Sequence, residues 1–299
     1  MAASPSATFF HTAGWGQLWE EGYPFFKSYF LVDVAPDGSY RAGLPFVRAR
    51  KWLDNYYSMP MGTSGGLVGA GGGLELFRSW LACTAGARRE RLAVFTGDEQ
   101  PVLEELGFQK NVRFSHQLTI PSKSRLKFSR SIEKQVGAAL SAGFSLFRIE
   151  KKEDLPRFFS LSGRERKKSF YSKLFYEMLA AVLLPNGRAL WFLALKNGKT
   201  AGYLLCFPFR ENLFLWDADF DPAFSELRPG YFLMARALDW ACNKGFEKIT
   251  FGQTPAEAEG TALLKERFGG KRIETYEYIF ASPFKRRLRS CYEKLQSRK

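Results

Sequence analysis

Two stretches of the chain, residues 29–48 and 191–210, repeat one pattern of hydrophobic and polar positions. Each opens with an aromatic residue followed by Phe-Leu in an apolar run, and then passes through a turn dipeptide and Ala-Gly into a second apolar run. The dipeptides are Asp37-Gly38 and Asn197-Gly198, which accept the positive φ angles of tight turns. The pattern predicts a β-hairpin in both stretches.

A second pair of similar stretches follows the hairpins, at residues 103–120 and 263–280. Both are typical of a helix end, a Gly that can take the left-handed cap, and a strand of alternating apolar and polar residues. The members of each pair lie about 160 residues apart, which indicates duplication of a whole domain. A chance match is the alternative, because hairpins with Asn-Gly turns are common.

The duplication predicts a mixed α/β (α+β) protein, in which each copy has a hairpin, a helix and a closing strand. The predicted linker is the segment 121–131, which is polar and basic and carries Pro and Ser. We therefore expect an N-terminal domain at residues 1–125, a C-terminal domain at 126–283 and a basic amphipathic tail at 284–299.

Charge and cysteine content narrow the choice of partners. Lys and Arg total 44 against 30 Asp and Glu, and the net charge of +14 suits a partner that carries phosphates, such as nucleic acid, anionic lipid or an anionic cofactor. The four cysteines form no CxxC pair and there are two histidines, so we expect no metal site and no disulfide framework. The sequence shows no signal peptide and no long apolar run, which predicts a cytoplasmic protein that meets a membrane only peripherally, at its inner face.

Paired carboxylates stand out in the second half of the chain. The predicted strand ENLFLWDADFD carries Asp217 and Asp219 at alternate positions, so a regular strand directs both to one face, opposite Trp216 and Ala218. Pro229-Gly230 then opens a predicted helix over residues 231–242, and FEKITFG is the next predicted strand.

Residues 191–270, with DADFDPAFSELRPGYFLMARALDWACNKGFEKITFG at their centre, resemble the Fem-type aminoacyltransferases and their shorter relatives in the GNAT acyltransferase superfamily. In the first half, FFHTAGWGQLWEE at residues 9–21 looks like the Phe-His/Gln-x-x-x-Trp start of those proteins. MPMGTSGGLVG at residues 59–69 is similar to their Gly-rich turn before a helix. The resemblance implies two tandem GNAT-like domains, each a mixed, mostly antiparallel twisted sheet flanked by helices, with catalysis in the second.

Acyl transfer to an amine needs a held donor, hydrogen-bond donors for the developing oxyanion and a base for the ammonium proton. Asp217 and Asp219 are the candidate bases, because two like charges close together raise one pKa toward a useful range. The alternative is a solvated strand face. Tyr231 is the candidate proton donor to the leaving group, and a Tyr that packs its ring in the core is the alternative.

The start of the predicted helix is the candidate donor site. Arg228 and the helix N-terminus near Gly230 could hold a phosphate of the donor, which the sequence leaves open between acyl-CoA and aminoacyl-tRNA. A surface arginine at a turn is the alternative.

The expected acceptor is an anionic small molecule or a lipid-linked species, such as a cell-envelope, peptidoglycan or polysaccharide precursor. The basic and aromatic run GRERKKSFYSKLFY suits such an acceptor or a tRNA backbone. A charged, solvated helix face is the alternative. The candidate substrate-binding residues are Arg164, Lys167, Tyr171, Trp216, Gln253 and Lys265. A non-enzymatic protein that binds nucleic acid or another anionic ligand, and an inert duplicated scaffold, are the competing functions.

Overall fold

The computed structural model describes residues 4, 6–50, 53–60, 63–69, 72–86, 89–121, 126, 128–161, 171–254 and 259–281. The basic tail predicted at residues 284–299 therefore lies outside the described residues. Within the described part of the chain, no helix combines the length and the apolar character needed to cross a membrane.

The chain alternates helices and strands. The helices longer than one turn are α1 (Ala13–Gly22), α2 (Gly73–Cys83), α3 (Pro101–Glu105), α4 (Arg130–Ser141), α5 (Leu155–Phe159), α6 (Lys173–Leu183), α7 (Pro229–Asn243) and α8 (Glu259–Arg267). The strands are β1 (Phe26–Val34), β2 (Tyr40–Arg50), β3 (Asp54–Ser58), β4 (Val68–Gly69), β5 (Arg89–Thr96), β6 (Gln109–Thr119), β7 (Ser145–Ile149), β8 (Leu190–Lys196), β9 (Lys199–Phe209), β10 (Asn212–Phe220), β11 (Lys248–Gln253) and β12 (Lys271–Ala281). Short 3-10 turns cover Phe9–His11, Lys152–Asp154 and Pro222–Leu227.

The chain folds into two compact units. Unit 1 contains Met1–Arg113 and Glu274–Lys299, and unit 2 contains Phe114–Ile273. These limits differ from the sequence-based bounds at residues 125 and 283, because each unit is completed by a strand that lies outside the corresponding copy of the repeat.

The strands of the two units repeat one pairing pattern. In unit 1, β1, β2 and β3 are antiparallel neighbours, β3 and β5 are parallel, and β5 pairs antiparallel with β12. In unit 2, β7, β8, β9 and β10 are antiparallel neighbours, β10 and β11 are parallel, and β11 pairs antiparallel with β6. This confirms the predicted mixed, mostly antiparallel sheets flanked by helices.

Turn chemistry explains where the predicted elements begin and end. Both hairpins form as predicted: Gly38 has φ 82°, and the second turn places Asn197 at φ 50° and Gly198 at φ 75°. Gly107 (φ 85°) and Gly269 (φ 88°) take left-handed backbone conformations just after α3 and α8. Glycine meets these angles without the steric cost of a Cβ atom.

One core layer of unit 2 lies between the sheet and the helices α4 and α7. Leu213, Leu215 and Ile249 of β10 and β11 pack in one cluster with Phe232 and Leu238 of α7, and Ile132 of α4 joins the same cluster. Burying an aliphatic or aromatic side chain of this size contributes about 1.5–3 kcal/mol, so this layer fixes α7 firmly against the strands. The beginning of α7 is thereby held close to the end of β10.

Candidate functional site

The parallel pairing of β10 with β11 in unit 2 stops before either strand ends. The parallel register covers Asn212–Phe214 against Lys248–Thr250, while β10 continues to Phe220. The pairing of these two strands with their other neighbours is irregular as well. The register of β10 against β9 shifts between Leu215 and Asp217, and that of β11 against β6 shifts between Thr250 and Gln253. Adjacent strands that both bulge at one level re-aim their side chains, a local geometry that is enriched next to active sites.

Gly252 shows how closely the two irregular segments approach. Its φ is 69°, and a Cβ atom built on it would lie 3.3 Å from the main-chain oxygen of Leu215. The strands therefore stay close at this level while their ladder pairing has ended. We call the residues 215–219 of β10 and 251–254 at the end of β11 the strand opening.

Asp217 is held at the strand opening by a side chain from α6. The Tyr176 hydroxyl, on a ring that is 2% exposed, donates a 2.6 Å hydrogen bond to Asp217 Oδ2. Ser172 caps this helix by accepting from the Phe175 amide at 3.1 Å, which fixes the turn that precedes Tyr176. A half-buried carboxylate thus has a defined orientation.

Trp216 lies on the same side of the sheet as Asp217, and not on the opposite face that strict alternation predicts. Its ring packs against Tyr171 (4.6 Å between ring centroids) and Phe175 (6.1 Å), beside the helix that carries Tyr176. The reason is the β-bulge between Leu215 and Asp217, which inserts one residue without a cross-strand partner and so breaks the period of two. This finding corrects the expectation that Trp216 and Asp217 face apart.

The second aspartate occupies a different environment. Asp219 Oδ1 accepts a 2.9 Å hydrogen bond from the amide of Phe220, whereas the Tyr176 bond goes to Asp217. Asp221 accepts from the Ala223 amide at 3.0 Å and caps the 3-10 turn that follows. Asp221 therefore has a structural role, at the start of the turn that begins with Pro222.

The start of α7 follows β10 after the 3-10 turn Pro222–Leu227. Arg228 is its N-cap with a left-handed backbone (φ 59°, ψ 54°), and Pro229 occupies the first turn. Gly230 faces open space, since a Cβ atom there would meet no atom within 4 Å. Tyr231 packs its ring against Phe268 at 5.6 Å, at the margin of the core. Helix starts with unobstructed backbone of this kind can accept anionic groups.

Lys265 of α8 reaches the other side of the strand opening. Its ammonium donates to the main-chain oxygens of Gly252 (3.1 Å) and Gln253 (3.2 Å) and to Thr254 Oγ1 (2.8 Å). The residue is 8% exposed, and burial lowers the pKa of Lys265 to about 8. The structure thus joins two predicted substrate-binding residues, Gln253 and Lys265, through the main chain of the former.

Seven of the predicted site residues fall into three groups. Asp217, Trp216 and Tyr171 cluster beside α6, Arg228 and Gly230 start α7, and Gln253 and Lys265 meet at the end of β11. Arg164 and Lys167 lie outside the described residues. Sequence reasoning missed the contacts of Tyr176 and Thr254, although Tyr176 ends the run GRERKKSFYSKLFY and Thr254 directly follows the candidate residue Gln253.

Comparison with known proteins defines the class of this fold. Residues 126–259 match the family model "Acetyltransferase (GNAT) domain", which covers most of unit 2 and includes the strand opening and the start of α7. No curated protein sequence matches the chain significantly. The resemblance to GNAT acyltransferases is thus confirmed for this domain.

Solved structures extend the similarity to both units. The chain resembles the crystal structure of FemX, with 14% identity, a TM-score of 0.71 and 95% of each chain covered. A tandem GNAT protein from the clavulanic acid biosynthesis pathway matches with 12% identity and a TM-score of 0.59 over 86% of this chain and 84% of its own. L-PGS from Bacillus licheniformis matches with 12% identity and a TM-score of 0.58 over 84% and 83%. The chain therefore has the tandem GNAT-like fold of Fem-type proteins.

Proposed function

We propose that this protein transfers an acyl or aminoacyl group to an amine of an anionic acceptor. The observation that carries the proposal is the strand opening, which holds a hydrogen-bonded carboxylate on a bulged strand. The same strand leads through a 3-10 turn to a helix that starts with open backbone. The GNAT domain match and the Fem-like fold support an acyl or aminoacyl transferase of this kind.

Asp217 is the proposed base. The acceptor amine must lose a proton before it attacks, and a carboxylate whose orientation is fixed by Tyr176 can take that proton directly or through water. Asp219 contributes negative charge from the same strand. The amine then adds to the donor carbonyl, and the tetrahedral intermediate expels the leaving group.

Arg228 and Gly230 are the proposed donor site. The left-handed N-cap directs the chain into α7 with unobstructed backbone at Gly230, and an arginine can pair with a phosphate in two parallel hydrogen bonds. Phosphates occur in both donors that we consider, acyl-CoA and aminoacyl-tRNA. We propose that either donor binds reversibly rather than as a resident cofactor.

The acceptor is proposed to bind on the side of Trp216 and Tyr171. The half-buried ring of Trp216 suits a sugar, nucleotide or lipid portion, and the net charge of +14 favours an anionic molecule. A cell-envelope or polysaccharide precursor has these properties. L-PGS has the same fold. A second structure with this fold, a C-terminal domain from Agrobacterium fabrum, carries the name lysylphosphatidylglycerol synthetase, which points to an aminoacyl group and a lipid.

The test is a transfer assay with both donor classes. Purified protein is incubated with acetyl-CoA, or with tRNA charged with a mixture of amino acids, together with a panel of amine-bearing nucleotide sugars, aminated lipids and polysaccharide fragments. Mass spectrometry should show an acyl or aminoacyl mass added to one acceptor class. Salt-sensitive binding of nucleic acid, with no transfer from either donor, would instead support the competing nucleic-acid-binding function.

A further inference from the structure

Lys265 is enclosed by oxygen atoms of three consecutive residues. Within the described part of the chain, its hydrogen-bond acceptors are two main-chain carbonyls and the hydroxyl of Thr254, all of them uncharged. A buried ammonium usually has a carboxylate partner, because an unpaired charge is costly in the interior. The Lys265 cage, defined as Gly252, Gln253 and Thr254, therefore holds a cation without neutralising it.

The Lys265 cage can serve both protonation states of the side chain. An ammonium has three N–H donors and matches three acceptors, whereas a neutral amine has two N–H donors and one lone pair. The carbonyls of Gly252 and Gln253 can only accept, but the Thr254 hydroxyl can accept from the ammonium or donate to the amine. Loss of the proton therefore needs only a rotation of the Thr254 hydroxyl hydrogen.

The surrounding strands fix the Lys265 cage in place. The Thr254 amide donates to the Phe114 oxygen at 3.2 Å, and Ser115 Oγ donates to the Gly252 oxygen at 3.0 Å. The Gly270 amide donates to the Lys265 oxygen at 2.9 Å, which closes α8 over β11. These bonds fix the positions of Lys265 Nζ and Thr254 Oγ1 in the folded protein.

His116, which senses the charge of Lys265, also senses Glu266 of the same helix and Arg272 of β12. His116 of β6 is buried, and burial lowers its pKa, so its ring is neutral at physiological pH. Its Nε2 lies 3.4 Å from Glu266 Oε1 on α8. Arg272 of β12 stacks its guanidinium over the Phe114 ring at 3.5 Å. In the described residues, none of these groups bonds to Lys265 Nζ.

We propose that Lys265 and Thr254 form a proton relay that protonates the leaving group of the acyl donor. The relay rests on the proposed transferase function. Asp217 on β10 takes the proton of the acceptor ammonium, and the Lys265 cage lies at the end of the neighbouring β11, next to Leu215 at the strand opening. Asp217 and the Lys265 cage thus lie along the two strands that border one opening.

When the tetrahedral intermediate collapses, the bond from the carbonyl carbon to the leaving oxygen or sulfur breaks, and that atom takes the bonding electron pair. The Thr254 hydroxyl gives its proton to this atom and receives one from Lys265, whose amine then accepts a hydrogen bond from Thr254. Solvent returns a proton to Lys265 before the next cycle. An acid with a pKa near the working pH is most effective in this role, which fits the low pKa of Lys265.

The first test uses the protein alone. NMR titration of protein labelled with ¹³C at lysine Cε should show one lysine that titrates near pH 8, while the others titrate near their ordinary value. That signal should vanish in Lys265→Met and persist in Lys244→Met, an exposed lysine at the end of α7. Thr254→Val should lower this pKa further, because the ammonium loses an acceptor, and Thr254→Ser should leave it in place. Equal titration in Thr254→Val and wild type would overturn the relay.

The second test measures transfer with whichever donor supports it. Thr254→Val should lower kcat by about 100-fold, and Thr254→Ser should restore it to within about threefold. Lys265→Arg should lose transfer activity despite its positive charge, because a guanidinium does not release a proton in this pH range. Thr261→Val, an exposed threonine of α8, is the matched control, and thermal unfolding verifies that each variant is folded.

The outcomes separate the two proposals. Transfer by wild type with Thr254→Val as active as Thr254→Ser overturns the relay and leaves the proposed function intact. Absence of transfer from both donors by wild type overturns the proposed function, and the relay with it, even if the lysine titrates near pH 8.

Discussion

The Tyr176 hydroxyl donates a 2.6 Å hydrogen bond to the Asp217 carboxylate and so connects α6 to the bulged strand β10. The bond requires the bulge, because the bulge directs Asp217 and Trp216 toward the same helix. A donor hydrogen bond to a carboxylate favours its charged form. Tyr176 is therefore positioned to keep Asp217 ionised and oriented as a base.

Replacing Tyr176 by Phe should change the pH dependence of transfer. Without the hydroxyl, the pKa of Asp217 should rise relative to wild type, and the acidic limb of the kcat/KM profile should move to higher pH. Loss of a hydrogen bond to a charged group should also lower the free energy of unfolding by about 1.5–3 kcal/mol. Tyr40→Phe, at a 65% exposed position, is the control that should change neither quantity. An acidic limb at the wild-type pH in Tyr176→Phe would show that the bond does not serve catalysis.

Arg228→Gly should separate stability from donor binding. A left-handed backbone at a non-glycine residue costs about 1–2 kcal/mol, and glycine removes that cost while adding unfolded-state entropy. The variant should therefore be as stable as wild type or up to about 1 kcal/mol more stable, while KM for the donor rises about tenfold or more. Arg210→Gly, at a left-handed position (φ 53°) in the hairpin between β9 and β10, is the matched control. Equal donor KM in the two variants would remove Arg228 from the donor site.

Gly252→Ala should weaken both the fold and the activity. The added Cβ atom would carry a left-handed backbone strain of about 1–2 kcal/mol and would lie 3.3 Å from the Leu215 oxygen. Gly245→Ala has a similar φ of 77° but no atom within 4 Å of the new Cβ, so it should lose comparable stability and keep transfer. Chemical denaturation and the transfer assay measure the two effects. If the two variants transferred equally well, the strand opening would not be the site of the reaction.

The stability contributed at Lys265 should depend on pH. Burial lowers its folded-state pKa from 10.5 to about 8, so between these pH values the unfolded chain binds a proton that the folded protein has released. Stability then rises with pH through this window, and the difference between wild type and Lys265→Met should increase by about 3 kcal/mol from pH 8 to pH 10.5. Urea unfolding of wild type and Lys265→Met at several pH values measures this difference in the free energy of unfolding. A flat difference, like the one expected for Lys244→Met, would contradict this pKa.

Local chemistry explains which parts of the fold the sequence predicts well. The hairpin turns at Gly38 and Asn197-Gly198 follow from residues that tolerate positive φ, and the helix α7 follows from Pro229-Gly230 and an apolar stripe. The pairing of β6 and β12 with strands outside their own repeat copies leaves no local signal, because both are ordinary alternating strands.

The candidate site was predictable in its residue types but not in its geometry. Asp217, Lys265 and Arg228 are recognisable from sequence, but the side that Trp216 faces depends on a bulge set by the register against β9. The bond from Tyr176 to Asp217 and the contact of Lys265 with Thr254 join residues brought together by helix packing. Such tertiary contacts have no periodic pattern in one sequence.

Hydrogen exchange with and without donor tests the central claim, that the reaction occurs at the strand opening beside α7. The protein is exchanged alone, with acetyl-CoA and with aminoacyl-tRNA, and peptides are followed by mass spectrometry. One donor should protect the amides of residues 215–219 in β10 and those of 228–232 at the start of α7, and Arg228→Gly should weaken this protection. If neither donor protects these segments, or if protection falls only on unit 1, the proposed site is wrong.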